Sequence, residues 1–251
     1  ALDANVEGDR NVAIGNHALS TYNPSSNEDS YNVAVGYAAL NLDTTGKFNT
    51  GIGAWALYSN TTATANTAVG YYAMGANTTG SDNVAVGSYS LDANTTGDGN
   101  TAVGYYALSA ATTADYNTAV GTRVLDAITT SQYNCAIGWE ALTTLTTGAQ
   151  NTAVGFAALQ DLSTGSYNTA IGIEAGRNVT TGSSNVIIGR NAMDSAVTGS
   201  SNVAVGSQAL NSSTSGADNT AVGTYAMGGN TTGNYNTAVG RDALGSNTTA
   251  R

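Results

Sequence analysis

The chain has 251 residues, of which only 10% are charged, and seven Lys and Arg stand against seventeen Asp and Glu for a formal net charge of -10. With no basic stripe to neutralise phosphates, nucleic acid is not an expected partner, and no apolar run approaches a membrane-spanning length, so membrane insertion is not expected either. His17 and Cys135 are the only histidine and cysteine, which leaves no Ser-His-Asp, Cys-His or multi-histidine metal constellation within one chain; no catalytic, cofactor or metal residue is expected, and the chain is read as a non-enzyme.

In chain order, the stretch Ala1 to Asn11 lines up with Ser90 to Asn100, so the sequence enters in the middle of a repeat. Asn11 opens the first copy of Asn-x-Ala-(Val/Ile)-Gly. Four extra residues around Asn23-Pro24-Ser25-Ser26-Asn27-Glu28-Asp29 then swell one corner into a surface loop, either a tolerated insertion or a loop that touches a receptor. From Asn32 to Asn236 the anchor asparagine returns every 17 residues without a slip, giving fourteen copies in all. A fixed period this short cannot hold the two helices of a helical repeat, so the expected fold is an all-β parallel β-solenoid of about 14 coils. No linker or composition shift divides it, and residues 1–251 read as a single elongated domain. Arg251 stops one position short of a full coil, and no capping segment is visible, which is expected of a segment of a longer fibre protein or of coils that stack end to end.

Within one coil, period-two alternation puts the residue after the anchor (Thr or Val, once Cys135) on the same face as the Val or Ile two positions on. That face is expected to be the core, with Asn, Ala and Gly on a flat opposite face. Two short strands per coil are expected, with the Gly of the anchor motif and the Gly of Thr-Thr-Gly at the corners. Ladders of like residues follow, represented by Asn100, Val103, Gly104 and Leu108 and, one coil on, Asn117, Val120, Gly121 and Leu125. One Val and one Leu per coil are little burial against the ordering of 17 backbones, so another buried surface is expected. The small Asn/Ala/Gly face could supply it by packing around an axis in a homotrimer, or by packing inside its own coil.

The strings Asn-Thr-Ala-Val-Gly-Tyr-x-Ala-Leu (Asn100 to Leu108) and Asn-Thr-Thr-Gly-x-Tyr-Asn-Thr-Ala-Val-Gly (Asn230 to Gly240) resemble repeats of bacteriophage tail fibres and, more distantly, those in the heads of trimeric autotransporter adhesins. The resemblance implies a left-handed β-roll assembled as a homotrimer, outside the cell, on a virion fibre or a cell surface. The function it implies is a structural shaft for attachment and host or surface recognition; an adhesin head or a self-stacking extracellular filament is the alternative.

Aromatic residues gather in the two variable positions after the invariant Gly. Tyr71, Tyr72, Tyr89, Tyr105, Tyr106 and Trp139 are the candidate ligand-facing side chains, in columns that also hold Tyr37, Trp55, Phe156 and Tyr225. Stacked rings with polar tips suit a surface glycan or a protein receptor. Asp92, Asp126 and Asp194 share one corner column, and the sequons at Asn60, Asn77 and Asn94 arise from the repeat itself.

Overall fold

Each copy of the motif forms a three-residue strand that stops where the glycine turns the chain. The fold is taken from a computed structural model whose described residues are 1–3, 8–24, 28–195 and 197–249. They form two compact units, Ala1–Thr130 and Ser131–Arg251. No helix occurs among the described residues.

The first unit contains β1 (Gly8–Asp9), β2 (Val12–Ile14), β3 (Glu28–Asp29), β4 (Val33–Val35), β5 (Thr50–Ile52), β6 (Thr67–Val69), β7 (Val84–Val86), β8 (Thr101–Val103) and β9 (Thr118–Val120). From β2 through β4 to β9 each strand lies parallel to the next, and β1 pairs with β3 beside the inserted loop. The second unit contains β10 (Cys135–Ile137), β11 (Thr152–Val154), β12 (Thr169–Ile171), β13 (Val186–Ile188), β14 (Val203–Val205), β15 (Thr220–Val222) and β16 (Thr237–Val239), again parallel in chain order. Register follows the repeat: Thr101, Ala102 and Val103 face Thr118, Ala119 and Val120, and Thr152, Ala153 and Val154 face Thr169, Ala170 and Ile171. Both units are therefore parallel β-solenoids with coils of about 17 residues. Residues 25–27 of the inserted loop lie outside the described residues.

Burial reverses the expected faces. Ala68, Ala85, Ala102, Ala119, Ala153 and Ala221 are fully buried. The flanking columns point outward, with Val86 36% and Ile52 39% exposed and Val103 and Val120 half-buried. Cys135, in the same outward column, is only half-buried. The Asn/Ala/Gly face is thus the interior of the coil. It packs against the buried Ala-Leu column, including Leu91, Leu108 and Leu125, and so cannot be the surface that meets another chain.

From β5 onward one strand, not two, forms per coil among the described residues. Along the Thr-Thr-Gly side, the backbone N–H groups of Thr78 and Thr79 both donate to the Thr95 carbonyl, at 3.0 and 3.1 Å. Successive donors converging on one acceptor mark a bend, whereas a strand alternates its hydrogen-bonding groups. The glycine of Thr-Thr-Gly has no positive φ, and Ala63, Ala114 and Ser131 occupy the same column. The glycine of the anchor motif does require its identity. Gly104 has φ +136°, and a β-carbon there would lie 2.3 Å from the carbonyl oxygen of Gly121 in the next coil.

Two exceptions in the Ala column show that interior volume is conserved locally. Ile187 replaces Ala, and in the coil before it Gly176 replaces the usual Leu; a β-carbon on Gly176 would lie 2.7 Å from Ile187 Cδ1. Ile187→Ala alone should leave a cavity and cost about 2–4 kcal/mol. Gly176→Leu alone should overpack the same space, and the double variant should recover most of the loss. Urea titrations of the four proteins measure this; simple additivity would contradict the compensation.

Candidate functional site

Buried amides organise the coil's inside. Asn100 Oδ1 accepts the backbone N–H of Asn117 at 3.0 Å and its side-chain amide at 3.2 Å, while Asn100 Nδ2 donates to the carbonyl of Ala114 at 2.7 Å. The pattern repeats along both units, for example from Asn168 to Asn185. A second buried column, not anticipated as such, runs through Asn60, Asn77 and Asn94, with Asn77 Nδ2 donating to Asn60 Oδ1 at 3.0 Å and Asn94 Nδ2 to Asn77 Oδ1 at 2.8 Å. These are the sequon asparagines, and their buried, hydrogen-bonded amides are out of reach of a glycosylating enzyme in the folded chain. The signal was present as Asn-Thr-Thr at Asn60, Asn77 and Asn94, 17 residues apart.

Asp43 occupies that column one coil earlier and is fully buried. Burial pushes its carboxyl up to about 7, against the smaller opposing effects of hydrogen bonds from Gly46, Asn60 and Asn49. The folded chain thus holds the Asp43 proton more tightly than the unfolded chain does. Its contribution to stability is full below the ordinary carboxyl range and is lost as pH rises from about 4 to about 7. Asp43→Asn should therefore stabilise the protein at pH 8 by about 4 kcal/mol and change it little near pH 3.5, read from melting temperatures at the two pH values. An equal effect at both would contradict the assignment.

On the outside, the two positions after the turning glycine carry the aromatic residues. The second of them has positive φ, as at Trp55 (57°), Tyr72 (55°), Tyr89 (55°) and Tyr106 (54°). Its N–H donates to the carbonyl of the first position one coil back, as from Trp55 to Tyr37 (2.9 Å) and from Tyr89 to Tyr71 (3.0 Å). Rings are thereby held one coil apart. They form an unbroken contact chain: His17 to Tyr37 (6.2 Å), Tyr37 to Trp55 (5.5 Å), Trp55 to Tyr71 (5.4 Å), Tyr71 to Tyr89 (5.3 Å), Tyr89 to Tyr106 (5.1 Å) and Tyr106 to Tyr105 (4.4 Å). Most contacts are edge-to-face, whereas Tyr89 and Tyr106 stack at 11°.

The structure therefore brings Tyr71, Tyr72, Tyr89, Tyr105 and Tyr106 together and extends them through Trp55 and Tyr37 to His17. Trp139 belongs to the second unit, where it stacks on Phe156 at 4.8 Å. Tyr37 and Tyr105 are each 50% exposed, so the ribbon is a surface and not a core. At one end His17, Tyr37, Ala38, Asn41, Trp55 and Tyr58 line an open cavity of about 220 Å³. Asn41 is fixed there by Nδ2 bonds to the His17 carbonyl (3.0 Å) and to Ser20 Oγ (2.7 Å). Toward the other end, partial burial raises the Tyr106 hydroxyl, helped by Tyr105 and by the charges of Asp92 and Asp126.

The shared carboxylate column does not gather a metal site. Asp92 and Asp126 lie two coils apart with Ser109 between them, and Ser109 Oγ donates to Asp126. Burial raises Asp92 to about 6, with Asp126 adding to it. Asp194 lies in the second unit, engaged by the side-chain amides of Asn191 (2.9 Å) and Asn178 (3.2 Å). Among the described residues no group of three or more His, Cys, Asp or Glu is placed to hold a metal ion, and no helix is long and apolar enough to cross a membrane. The second unit also has an open cleft of about 520 Å³, where Gly228, Gly229 and Gly245 leave room beside Tyr225 and Asp242.

Fold and surface together define the class: a parallel β-solenoid repeat protein with a closed amide interior and an aromatic ribbon outside. No protein-family model, curated protein or solved structure matches the chain.

Proposed function

We propose that the chain is a shaft of an extracellular attachment fibre, of the bacteriophage tail-fibre kind, which acts by binding and not by catalysis. The observation that carries this reading is the self-completing coil. Within each unit every coil offers the next the same Asn acceptors and the same strand edge, so the unit is built by repetition and needs no other element to close its interior. A host or surface receptor is then met by side chains added to the outside of the coil.

Three copies are proposed to assemble through the outward Thr/Val and Val/Ile columns, since Ile14, Ile52 and Val84 leave an uncharged apolar stripe on the first unit's sheet. Native mass measurement on the purified protein should give three chains per particle, and gold-labelled antibody should mark fibres on virions. A monomeric mass would remove the trimer; label confined to long filaments on cells would replace the virion fibre with a self-stacking surface filament.

A further inference from the structure

Resting on the attachment reading, we propose that the aromatic ribbon of the first unit is a binding track for an uncharged polysaccharide, with the cavity beside Trp55 as its anchoring subsite. The solenoid itself does not ask for these rings. The second position after the glycine has positive φ throughout, a conformation that costs a residue bearing a β-carbon roughly 1 kcal/mol and that Asn and Asp accept most readily. In the second unit that position is held by Glu140, Ala157, Glu174, Asn191, Gln208, Tyr225 and Asp242, so the coil accepts small and polar side chains there. In the first unit four successive coils place Trp55, Tyr72, Tyr89 and Tyr106 there instead. Four successive half-buried rings at that position, in contact with one another and with the exposed rings of Tyr37, Tyr71 and Tyr105, make a continuous aromatic surface that points to use of the rings.

The chemistry of the surface selects the ligand. Ring faces and edges take the C–H surfaces of pyranoses, and the Tyr37, Tyr58 and Asn41 side chains add neutral hydrogen-bonding groups around the cavity, where no Asp, Glu, Lys or Arg stands. Asp92 and Asp126 near Tyr106 would repel an anionic chain. From Tyr37 to Tyr106 ring centroids of successive coils lie 5.1 to 5.5 Å apart, comparable to the advance per sugar of an extended pyranose chain. Successive sugars can therefore meet successive coils.

The test uses the intact chain with Trp139→Phe, which leaves Trp55 as the sole tryptophan. Laminarin, mannan and hydroxyethylcellulose serve as neutral probes and polygalacturonate as the anionic one, in affinity gels and by Trp55 emission. At least one neutral polymer should retard the protein and shift the emission, while polygalacturonate should do neither. Trp55→Phe, followed in gels, and Tyr72→Ala and Tyr89→Ala should each weaken retention by about tenfold with melting temperature unchanged. Affinity should rise with oligosaccharide length up to about six sugars, one per coil from His17 to Tyr105. The proposal is overturned if no neutral polymer binds, if the ring variants bind as well as the parent, or if attachment to the target surface is abolished by protease treatment of that surface, which would indicate a protein receptor. Gold-labelled fibres on virions without any of these glycan effects would leave the attachment reading standing and remove only the track.

Discussion

Ala102→Asp should unfold the first unit, whereas Val103→Asp, one residue away, should leave it folded. Ala102 is fully buried inside the coil, its Ala85 and Ala119 neighbours are equally inaccessible, and Leu108 is buried in the same interior. A carboxylate there would sit among alanine and leucine side chains with no cation to pair, at a cost of more than about 4 kcal/mol. Val103 lies between Val86 and Val120 on the outward column, half in water. Aspartate in its place loses strand propensity and some apolar contact, about 1 kcal/mol. If three chains meet through that column, the added charges should also dissociate them into folded monomers. Circular dichroism and urea midpoints read the first effect, and native mass the second. An unfolded Val103→Asp with a native Ala102→Asp would restore the opposite assignment of faces.

Asn100→Ala should rank next. Removing this one side chain leaves the buried backbone N–H of Asn117 without its 3.0 Å acceptor and the carbonyl of Ala114 without its 2.7 Å donor, and it interrupts the amide chain to Asn83 at 3.1 Å. Each buried group left unpaired costs about 1–3 kcal/mol, so a loss of about 3–6 kcal/mol is expected. Tyr105→Ala, which removes a larger but half-exposed side chain in the same coil, should cost under about 1 kcal/mol. Hydrogen exchange adds a local reading: the Asn117 amide should lose protection in Asn100→Ala ahead of the strand amides. Equal stability of the two variants would mean that the asparagine column is ornament to the coil and not its frame.

The strict period made the parallel stacking and its register legible, because only like upon like places Thr101 on Thr118 and Ala153 on Ala170. It could not say which face was inside. A Thr-Ala-Val strand looks as though its larger apolar residue belongs in the core. The interior is instead filled by the Ala-Leu column and the asparagine amides, leaving room for nothing larger than Ala unless a neighbour shrinks, as Gly176 does for Ile187. Leu40 and Met74 adopt positive φ of 50° and 51°, turning the chain with residues that carry no turn signal, so the second expected strand dissolves into bends. The aromatic columns were visible in the sequence, but their continuity was not. Ring contact depends on the second position's left-handed backbone, which sets the Tyr89 and Tyr106 rings in a stack and ties Trp55 to both Tyr37 and Tyr71.

The stacking itself is tested most directly by cross-linking across one coil. In a Cys135→Thr background, Thr101→Cys with Thr118→Cys places two thiols on directly facing residues of adjacent parallel strands, at the one-strand separation a disulfide can span. Thr101→Cys with Val120→Cys displaces one of them by two residues along the strand. Mild oxidation followed by peptide mass mapping should show the intramolecular disulfide in the first pair and not in the second. Bridging of both pairs alike, or of the displaced pair alone, would contradict in-register stacking of 17-residue coils.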